Sequence, residues 1–403
     1  MLNRVSTEAT VADRERRAAQ LIERARQLRP LIEAAGDRIE RDHQLPADVL
    51  KALYEARLFR MLIPRTYGGE EVEPATFFQV VETVAMADAS TAWCIGQGSG
   101  VSMASAYLKP EVAREIFGAP NAVAASGPQD RTSKAIAVDG GYRVTGSWTF
   151  ASGSRHAQWL GGHCNVVEAD GSPRLGPDGK PLEHRTMLFP KASATVTDVW
   201  QVMGLKGTGS DNYAVADLFV PAHYSFTRES DEDRREQGAL YRFSVFNMFG
   251  VAFSAVALGL ARRVLDEFIQ LAKVKIPFTG NVLLRDNNLI QSQVGLSEAR
   301  LQSSRVYVLD TYRREYEFVS NGGRLTPEQR INNRIVTCYA IHQAREVMNF
   351  VYHAAGGTAI FESNPFERRF RDMHALTQQG QGQYGNFEAL GQTLMGTPPA
   401  RRT

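Results

Sequence analysis

The sequence predicts an α+β protein in which a small β-domain lies between two helical regions. Apolar residues recur at helical spacing within residues 1–120, and long helical segments return within residues 227–403. Between them, residues 121–226 consist of short β-branched and aromatic runs separated by Gly, Asp and Pro. A chain of 403 residues, 43% hydrophobic and 22% charged, is long enough for three such domains.

The N-terminal helices are indicated by apolar periodicity and by two prolines. Within residues 12–40, apolar residues recur at three- and four-residue steps among charges, which predicts an amphipathic helix. Pro46 and Pro74 each fit the first turn of a further helix, where a missing N–H costs nothing. A fourth helix is expected through residues 93–108.

The β-domain and the C-terminal region are predicted in the same way. The runs YRVTGSWTF and NYAVADLFVP predict strands of a small antiparallel β-domain, and EADGSPRLGPDGKPLEH predicts an exposed hairpin. Helices are expected near residues 243–273, 286–320, 326–355 and 384–395, which gives a C-terminal four-helix bundle.

Composition and charge argue against several classes of function. A net charge of +2, without a Lys/Arg run or an aromatic-basic stripe, offers no surface for nucleic acid. The three cysteines, Cys94, Cys164 and Cys338, are scattered without a CxxC motif, which predicts neither a disulfide framework nor a metal site. The N-terminal residues are charged and contain no apolar signal core, so we expect a cytoplasmic protein.

One apolar segment needs comparison with a membrane span. Residues 243–261 contain no charged side chain and approach the length that crosses a bilayer. Ser244, Asn247 and Gly250 dilute its apolar character, and an amphipathic continuation follows at Arg262. We therefore expect a helix buried inside the bundle and no membrane segment.

The segment GQGQYG, residues 380–385, matches the dinucleotide-binding pattern G-x-G-x-x-G only in its letters. That pattern needs a strand before it, a helix after it and an acidic residue about 20 residues further on. Here the helical stretch HALTQQ precedes it, and too little chain follows it. We therefore expect no NAD(P)H site.

Three segments of the β-domain carry a family resemblance. They are AASGPQ (124–129), GYRVTGSWTFASGSRHAQW (141–159) and MGLKGTGSDNYAVADLFVP (203–221). Together with the order of helical and β regions around them, they resemble the acyl-CoA dehydrogenase superfamily. The resemblance implies an acyl-CoA dehydrogenase-like fold and a flavin cofactor.

The same resemblance implies which residues meet the flavin. The first segment, with Ser126, would pass the flavin ring. Trp148, Phe150 and Ser152 would belong to the strand that contacts the ring, with the Ser152 hydroxyl at flavin N5. Without the family match, Ser152 would simply be a turn residue that ends a strand.

The C-terminal quarter extends the resemblance through HAAGGTAIFESNPFERRFRD (353–372). Gly356 and Gly357 fit a position where only glycine lets the backbone approach the cofactor closely. Arg371 and Asp372 are expected to form an internal ion pair.

The catalytic base of the dehydrogenases is the main departure from the family. Many members carry a Glu shortly beyond the position of Asp372, and this Glu removes the substrate α-proton. Here no carboxylate stands between Asp372 and Glu388, so that base is missing. Because some dehydrogenases carry the base on another helix, an acyl-CoA dehydrogenase-type desaturase stays open as an alternative.

Two further patterns resemble the two-component flavin-dependent aromatic monooxygenases (group D) built on this fold. GxWxFxSGxxHAxW stands at residues 146–159, and RDxHA stands at residues 371–375. In that group a separate reductase supplies reduced flavin, O2 adds at flavin C4a, and the hydroperoxide hydroxylates or epoxidises an aromatic or heteroaromatic substrate. The resemblance implies reduced FAD or FMN, with FAD preferred, and a transient flavin reductase partner. An N- or S-oxygenating enzyme and a flavin-binding protein without turnover stay open.

The expected substrate follows from missing histidines. Several phenol hydroxylases of the group carry a His at the place of Gln379 and another in the helix that holds Trp93, but residues 92–110 contain no histidine. A ring that reacts without deprotonation, such as indole, is therefore expected. The predicted catalytic residues are Ser152, His374 and Gln379, and the predicted substrate-pocket residues are Trp93 and Ser99. His374 is either catalytic or structural.

The phosphate end of the cofactor is expected near Lys275, Phe278 and Arg285. They lie in AKVKIPFTGNVLLRDNNLIQ, a segment that in the family reaches from a neighbouring subunit to the flavin pyrophosphate. The alternative for these cations is a solvated face. The resemblance also implies a homotetramer.

Overall fold

Helical, β and helical regions follow one another along the chain, as the sequence predicts. The computed structural model describes residues 11–397 except 129, 131, 176–178, 180–183 and 279. Much of the predicted hairpin at 168–184 therefore lies outside the described residues.

The N-terminal region consists of six helices in the described chain. They are α1 (Val11–Ala34), α2 (Gly36–Asp42), α3 (Ala47–Glu55), α4 (Pro74–Ala85), α5 (Ala89–Ser102) and α6 (Pro110–Phe117). Asp88 caps α5 by accepting from the Thr91 N–H at 2.6 Å. The helix is shorter than predicted, since its last turn tightens where the Ser102 hydroxyl donates to the Ser99 carbonyl at 2.7 Å.

The central region is an eight-stranded sheet. Its strands are β1 (Ala124–Ser126), β2 (Lys134–Val138), β3 (Gly141–Ala151), β4 (Trp159–Val167), β5 (Arg185–Pro190), β6 (Thr195–Thr197), β7 (Asp211–Pro221) and β8 (Ser225–Thr227). Their order is β6-β7-β3-β2-β4-β5-β8, and β1 pairs with β4.

The expectation of a purely antiparallel sheet is wrong at β4. Both β1 and β2 pair with β4 in parallel, while the other neighbours are antiparallel. The physical reason is the connection. After the β2–β3 hairpin, the chain returns along the other edge of β2, so β4 runs in the same direction as β2.

The C-terminal region has three long helices and two short ones. They are α7 (Val245–Ala272), α8 (Asn288–Ser320), α9 (Pro327–Ala355), α10 (Pro365–Leu376) and α11 (Gly385–Leu394). The sequence prediction missed α10 as a separate helix. The N-terminal α4 packs tightly on α7, because a Cβ added at Gly259 would lie 2.3 Å from the Glu82 carbonyl oxygen.

The apolar helix α7 lies in the core, as predicted. It is long and apolar enough to cross a membrane, but 89% of its most apolar window is buried inside the protein. The segment GQGQYG forms a turn between α10 and α11. It is therefore preceded by a helix, whereas a dinucleotide-binding site requires a strand at that place.

Candidate active site

The strand that carries Ser152 ends in an irregular turn. The pairing of β3 with β7 shifts register between Trp148 and Ala151, and Phe150 has a φ of +56°, which bulky residues rarely adopt. Phe150 stays 58% exposed, whereas Ser152 is buried. Backbone strain of this kind is concentrated at functional sites.

Three hydroxyl groups, those of Ser152, Ser210 and Thr208, form a continuous hydroxyl row. Ser152 Oγ lies 2.6 Å from Ser210 Oγ, which lies 2.8 Å from Thr208 Oγ1. Thr208 Oγ1 donates to the Leu205 carbonyl at 2.8 Å. At the other end, the Trp93 indole N–H donates to Ser152 Oγ at 3.0 Å.

In the arrangement that ends at the Leu205 carbonyl, the hydrogens of the hydroxyl row run in one direction, since each hydroxyl has a single hydrogen. Thr208 uses its hydrogen at Leu205, so Ser210 donates to Thr208. Ser152 must then donate to Ser210. Ser152 Oγ already accepts from Trp93 and therefore keeps one lone pair for an incoming donor.

The predicted pocket residue Trp93 forms an aromatic wall with two residues of α7. Its ring stacks on Phe253 at 3.7 Å between centroids, and Phe253 lies parallel to Phe249 at 5.9 Å. Phe150 meets Trp200 edge to face at 6.1 Å. An aromatic wall thus lies beside the end of the hydroxyl row.

A cavity opens between α5 and the sheet. Its lining residues are Gly100, Val101, Ala104, Ser126, Gly161, Thr186, Leu188, Phe226, Arg228 and Val245. The predicted residue Ser126 is one of them, and its carbonyl accepts from Gln97 Nε2 at 3.3 Å. Ser99 is fully buried and is not among these lining residues, and its place in the substrate pocket stays a prediction.

The predicted contact of Trp148 with the cofactor is wrong. The side chain is fully buried in the sheet core, where its ring stacks on Tyr213 at 5.2 Å. Its indole N–H donates to the His163 carbonyl at 3.2 Å. On a regular strand, Trp148 and Phe150 would share one face, because they lie two residues apart. The positive φ of Phe150 breaks this alternation, so only Phe150 points outward.

His374 and Gln379 lie around the end of α10. His374 Nε2 pairs with Asn349 Oδ1 at 3.0 Å, and its ring packs on Phe370 at 4.3 Å. Burial lowers the pKa of His374, which favours the neutral imidazole. Gln379 Oε1 accepts from the Gln381 N–H at 2.6 Å, while its buried Nε2 has no partner within the described chain. Neither residue contacts Ser152 there.

The predicted ion pair between Arg371 and Asp372 is wrong. Arg371 pairs instead with Glu367 and, at 2.6 Å, with Glu40. Asp372 Oδ1 accepts from the Leu205 N–H at 2.6 Å. Neighbouring residues on a helix point about 100° apart, so the two side chains face different partners.

A second group of predicted residues meets at the end of α9. Lys275 Nζ donates to the Ala355 carbonyl and, at 2.6 Å, to Thr358 Oγ1. Gly356 has a φ of +57°, and a Cβ added at Gly357 would meet nothing within 4 Å. The backbone beside this cation is therefore open to a ligand.

The remaining residues of the phosphate segment lie on the surface. Phe278 is fully exposed, and Arg285 is exposed with Asp286 as its ion-pair partner at 3.6 Å. Nothing within the described chain covers Phe278. Arg285 and Lys275 are thus not brought to the same point, although a hydrogen bond from the Leu284 N–H to the Lys275 carbonyl closes the loop between them.

The two groups have the chemistry that the two ends of a flavin require. Ser152 offers a lone pair, and Phe150 and Trp93 offer aromatic surface. Lys275 and Gly356 offer a cation and open backbone, which suit phosphate. No hydrogen bond, ion pair or ring contact joins the two groups in the described part of one chain.

Several residues of the candidate site were missed by the sequence prediction. Thr208 and Ser210 stand in the recognised segment 203–221, but only the folded chain shows that they meet Ser152. Phe253 was predicted only as part of a buried helix. A hydroxyl-rich stretch within a family segment was the one available signal.

Comparisons with known proteins agree with this architecture. Residues 19–114 match the family model "Acyl-CoA dehydrogenase, N-terminal domain", and residues 251–381 match "Acyl-CoA dehydrogenase, C-terminal domain". Among solved structures, XiaF from Streptomyces sp. in complex with FADH2 and glycerol has a TM-score of 0.88 at 23% identity, covering 97% of this chain and 98% of XiaF. At that identity the likeness shows the fold.

Two relatives in sequence carry the family assignment. The chain is 30% identical to an indole-3-acetate monooxygenase of Pseudomonas putida over 356 residues, 87% of this chain and 88% of the relative. It is 27% identical to the flavin-dependent monooxygenase oxygenase subunit HsaA of Rhodococcus jostii (strain RHA1), over 86% of this chain and 91% of that subunit. The chain therefore belongs to the acyl-CoA dehydrogenase family and, within it, to the flavin-dependent monooxygenases.

Proposed function

We propose that the chain is the oxygenase component of a two-component enzyme that hydroxylates or epoxidises an aromatic or heteroaromatic, indole-like substrate. The observation that carries the proposal is the direction of the hydroxyl row. It leaves Ser152 Oγ as an acceptor beside the Trp93 indole. Reduced flavin carries a hydrogen on N5, so this acceptor suits the form that a reductase delivers.

Reduced flavin, when bound, supplies the electrons that activate O2. Ser152 would hold the N5 hydrogen, and Phe150 and Trp93 would border the ring. Lys275 and the backbone at Gly356 would bind the phosphate end. FAD is preferred to FMN, in line with the FADH2 of XiaF.

The substrate proposal rests on a neutral site in which the candidate base, His374, has a lowered pKa. Asn349 accepts from His374 Nε2, which leaves Nδ1 as an acceptor for a ring N–H. The unpartnered Nε2 of Gln379 is a neutral donor. Neither side chain deprotonates a phenol at neutral pH as effectively as a base that is paired with a carboxylate would. The relative named for indole-3-acetate fits this choice.

We also propose a homotetramer in the cytoplasm with a transient flavin reductase. The tetramer would bring the Lys275 group of one subunit to the Ser152 group of another, since they do not meet within one chain. The cytoplasmic location is supported by Cys94, Cys164 and Cys338, which are all buried free thiols.

The test mixes the protein with chemically reduced FAD, then with O2 and indole, and measures product and hydrogen peroxide. The wild type should convert indole without added NADH. Ser152→Ala should release more peroxide per product, because a buried hydrogen bond worth about 1–3 kcal/mol is lost. Indole turnover should stay constant from pH 6 to 9, whereas phenol turnover should rise as the free phenol, with a pKa near 10, ionises.

Three outcomes would contradict the proposal. NADH oxidation by the isolated chain would remove the need for a reductase. Reduction of bound flavin by an acyl-CoA would restore the desaturase alternative. Unchanged peroxide and product with Ser152→Ala would remove Ser152 from the site.

A further inference from the structure

The cavity between α5 and the sheet contains a single arginine among its lining residues. Arg228 directly follows β8, and most of the cavity wall around it is apolar, as at Val101, Leu188 and Phe226. The cavity starts near the candidate active site. Trp93 and Gly100 lie on one face of α5, seven residues and about 10 Å apart.

The guanidinium of Arg228 has only a neutral hydrogen-bond partner in the described chain. Its Nη2 donates to His163 Nε2 at 2.7 Å, and the His163 Nδ1 hydrogen points to Thr186 Oγ1 at 2.9 Å. Burial, and then the charge of Arg228, lower the pKa of His163 well below its usual value. His163 is therefore uncharged at neutral pH and does not neutralise the positive charge of Arg228.

No carboxylate among the described residues forms an ion pair with Arg228. The adjacent Glu229 pairs with Arg330 at 3.4 Å and acts on Arg228 only through space. Burial lowers the pKa of Arg228 to about 10, so the side chain stays charged at neutral pH. A half-buried cation without an ion-pair partner among the described residues is a good partner for a ligand anion.

We propose that Arg228 binds the carboxylate of the substrate, which makes the substrate an aromatic acid with its ring toward Trp93. This inference rests on the proposed function and specifies its substrate class. The cavity has a volume of only about 10 Å³, so it would take the carboxylate end, and the ring would lie outside it toward Trp93. Thr186 and Ser126 provide neutral hydrogen-bonding groups near the carboxylate. The phosphate end of a flavin is assigned to the Lys275 group, which lies at the end of α9 and outside this cavity.

The experiment compares indole-3-acetate with its neutral isostere indole-3-acetamide. Dissociation constants are measured with the flavin-loaded protein, and KM and kcat are measured with supplied reduced FAD. The wild type should bind the acetate about 10- to 100-fold more tightly than the acetamide, as expected for a charge-assisted hydrogen bond. Arg228→Gln should abolish that preference, mainly through Kd and KM, and leave acetamide binding unchanged.

Two variants serve as controls. Arg235→Gln removes an exposed arginine seven residues away and should keep the preference for the acetate. Arg228→Lys retains the charge without the bidentate geometry and should restore part of it. Circular dichroism and FAD affinity show whether each variant is folded and loaded.

The inference would be overturned if the wild type does not discriminate between acetate and acetamide. It would also be overturned if Arg228→Gln weakens both ligands equally, or if it weakens FAD instead, which would assign Arg228 to the cofactor. Failure of the proposed function looks different. In that case no aromatic compound gives product with reduced FAD, while the binding comparison still reports on Arg228.

Discussion

Ser152 has one hydrogen, and its neighbours determine where that hydrogen points. A serine at flavin N5 can donate to the N5 lone pair of oxidised flavin or accept from the N5–H of reduced flavin. When Thr208 donates to the Leu205 carbonyl, the hydrogen of Ser152 is directed to Ser210. In the proposed site, this arrangement would favour reduced flavin through residues that do not touch the cofactor.

Ser210→Ala tests this at the residue scale. Without Ser210, the hydrogen of Ser152 is free to reach oxidised N5, so the affinity for oxidised flavin should rise about 3- to 10-fold, as expected for one net hydrogen bond. Affinity for reduced flavin should change less. The midpoint potential of bound flavin should then fall, by about 30 mV for a tenfold change in the affinity ratio.

The matched control for that measurement is Thr208→Ser, which keeps a hydroxyl at the end of the row and should keep the wild-type ratio. Spectroscopic titration of both redox states under anaerobic conditions gives the two dissociation constants. A ratio that is the same in Ser210→Ala and wild type would show that the row does not orient Ser152.

The sequence identified single residues of the site better than the contacts between them. The family motif identified Ser152, and the helix pattern identified Trp93, but their hydrogen bond joins residues 59 positions apart. The same limit explains Trp148, since period-two alternation could not reveal the turn at Phe150. Arg228 carried no sequence signal, because its proposed role depends on the lack of an ion-pair partner among the described residues, which only the folded chain shows.

At the scale of elements, the hydroxyl row is anchored by α10. Asp372 on α10 accepts from the Leu205 N–H, and the Leu205 carbonyl accepts from Thr208. The sequence predicted the long helices well, because their apolar periodicity is local. It did not predict the parallel pairing of β4 with β1 and β2, which depends on how distant segments return to the sheet.

The stability that Asp372 contributes to the fold should depend on pH. Burial, and then the charge of Asp88, raise the pKa of Asp372 from 3.8 to about 7. Because the folded pKa lies above the unfolded one, the stability contributed by protonated Asp372 is complete below the unfolded value and is lost as pH rises through about 7. Asp372→Asn keeps an oxygen for Leu205 and removes the titration.

We therefore expect Asp372→Asn to be more stable than wild type at pH 8, by roughly 4 kcal/mol. Its stability should also vary less between pH 5 and pH 8. Urea unfolding at several pH values measures both effects. Asp139→Asn, at an exposed turn, is the control and should follow the wild type. Parallel profiles for Asp372→Asn and wild type would refute the assignment of this titration to Asp372.

At the scale of the whole molecule, the surface around the Lys275 group is unusually apolar. Five large apolar residues are more than half exposed there: Val274, Ile276, Phe278, Ile360 and Phe361. Exposed apolar patches of this kind mark interaction surfaces. In the proposed tetramer, they would lie between subunits and beside the cofactor that both subunits bind.

Phe278→Asp should therefore weaken assembly and cofactor binding together. A carboxylate at a buried subunit contact loses its hydration without gaining a partner, and at the phosphate end it also repels the flavin. We expect a smaller particle in sedimentation and at least about a tenfold weaker affinity for FAD, from 1.4 kcal/mol or more. Val138→Asp, at an exposed position in the sheet, is the control and should change neither. If Phe278→Asp stays tetrameric and binds FAD normally, this surface is neither the subunit contact nor the phosphate site. If it stays tetrameric but loses FAD, Phe278 belongs to the cofactor site alone, and the tetramer contact must be sought elsewhere.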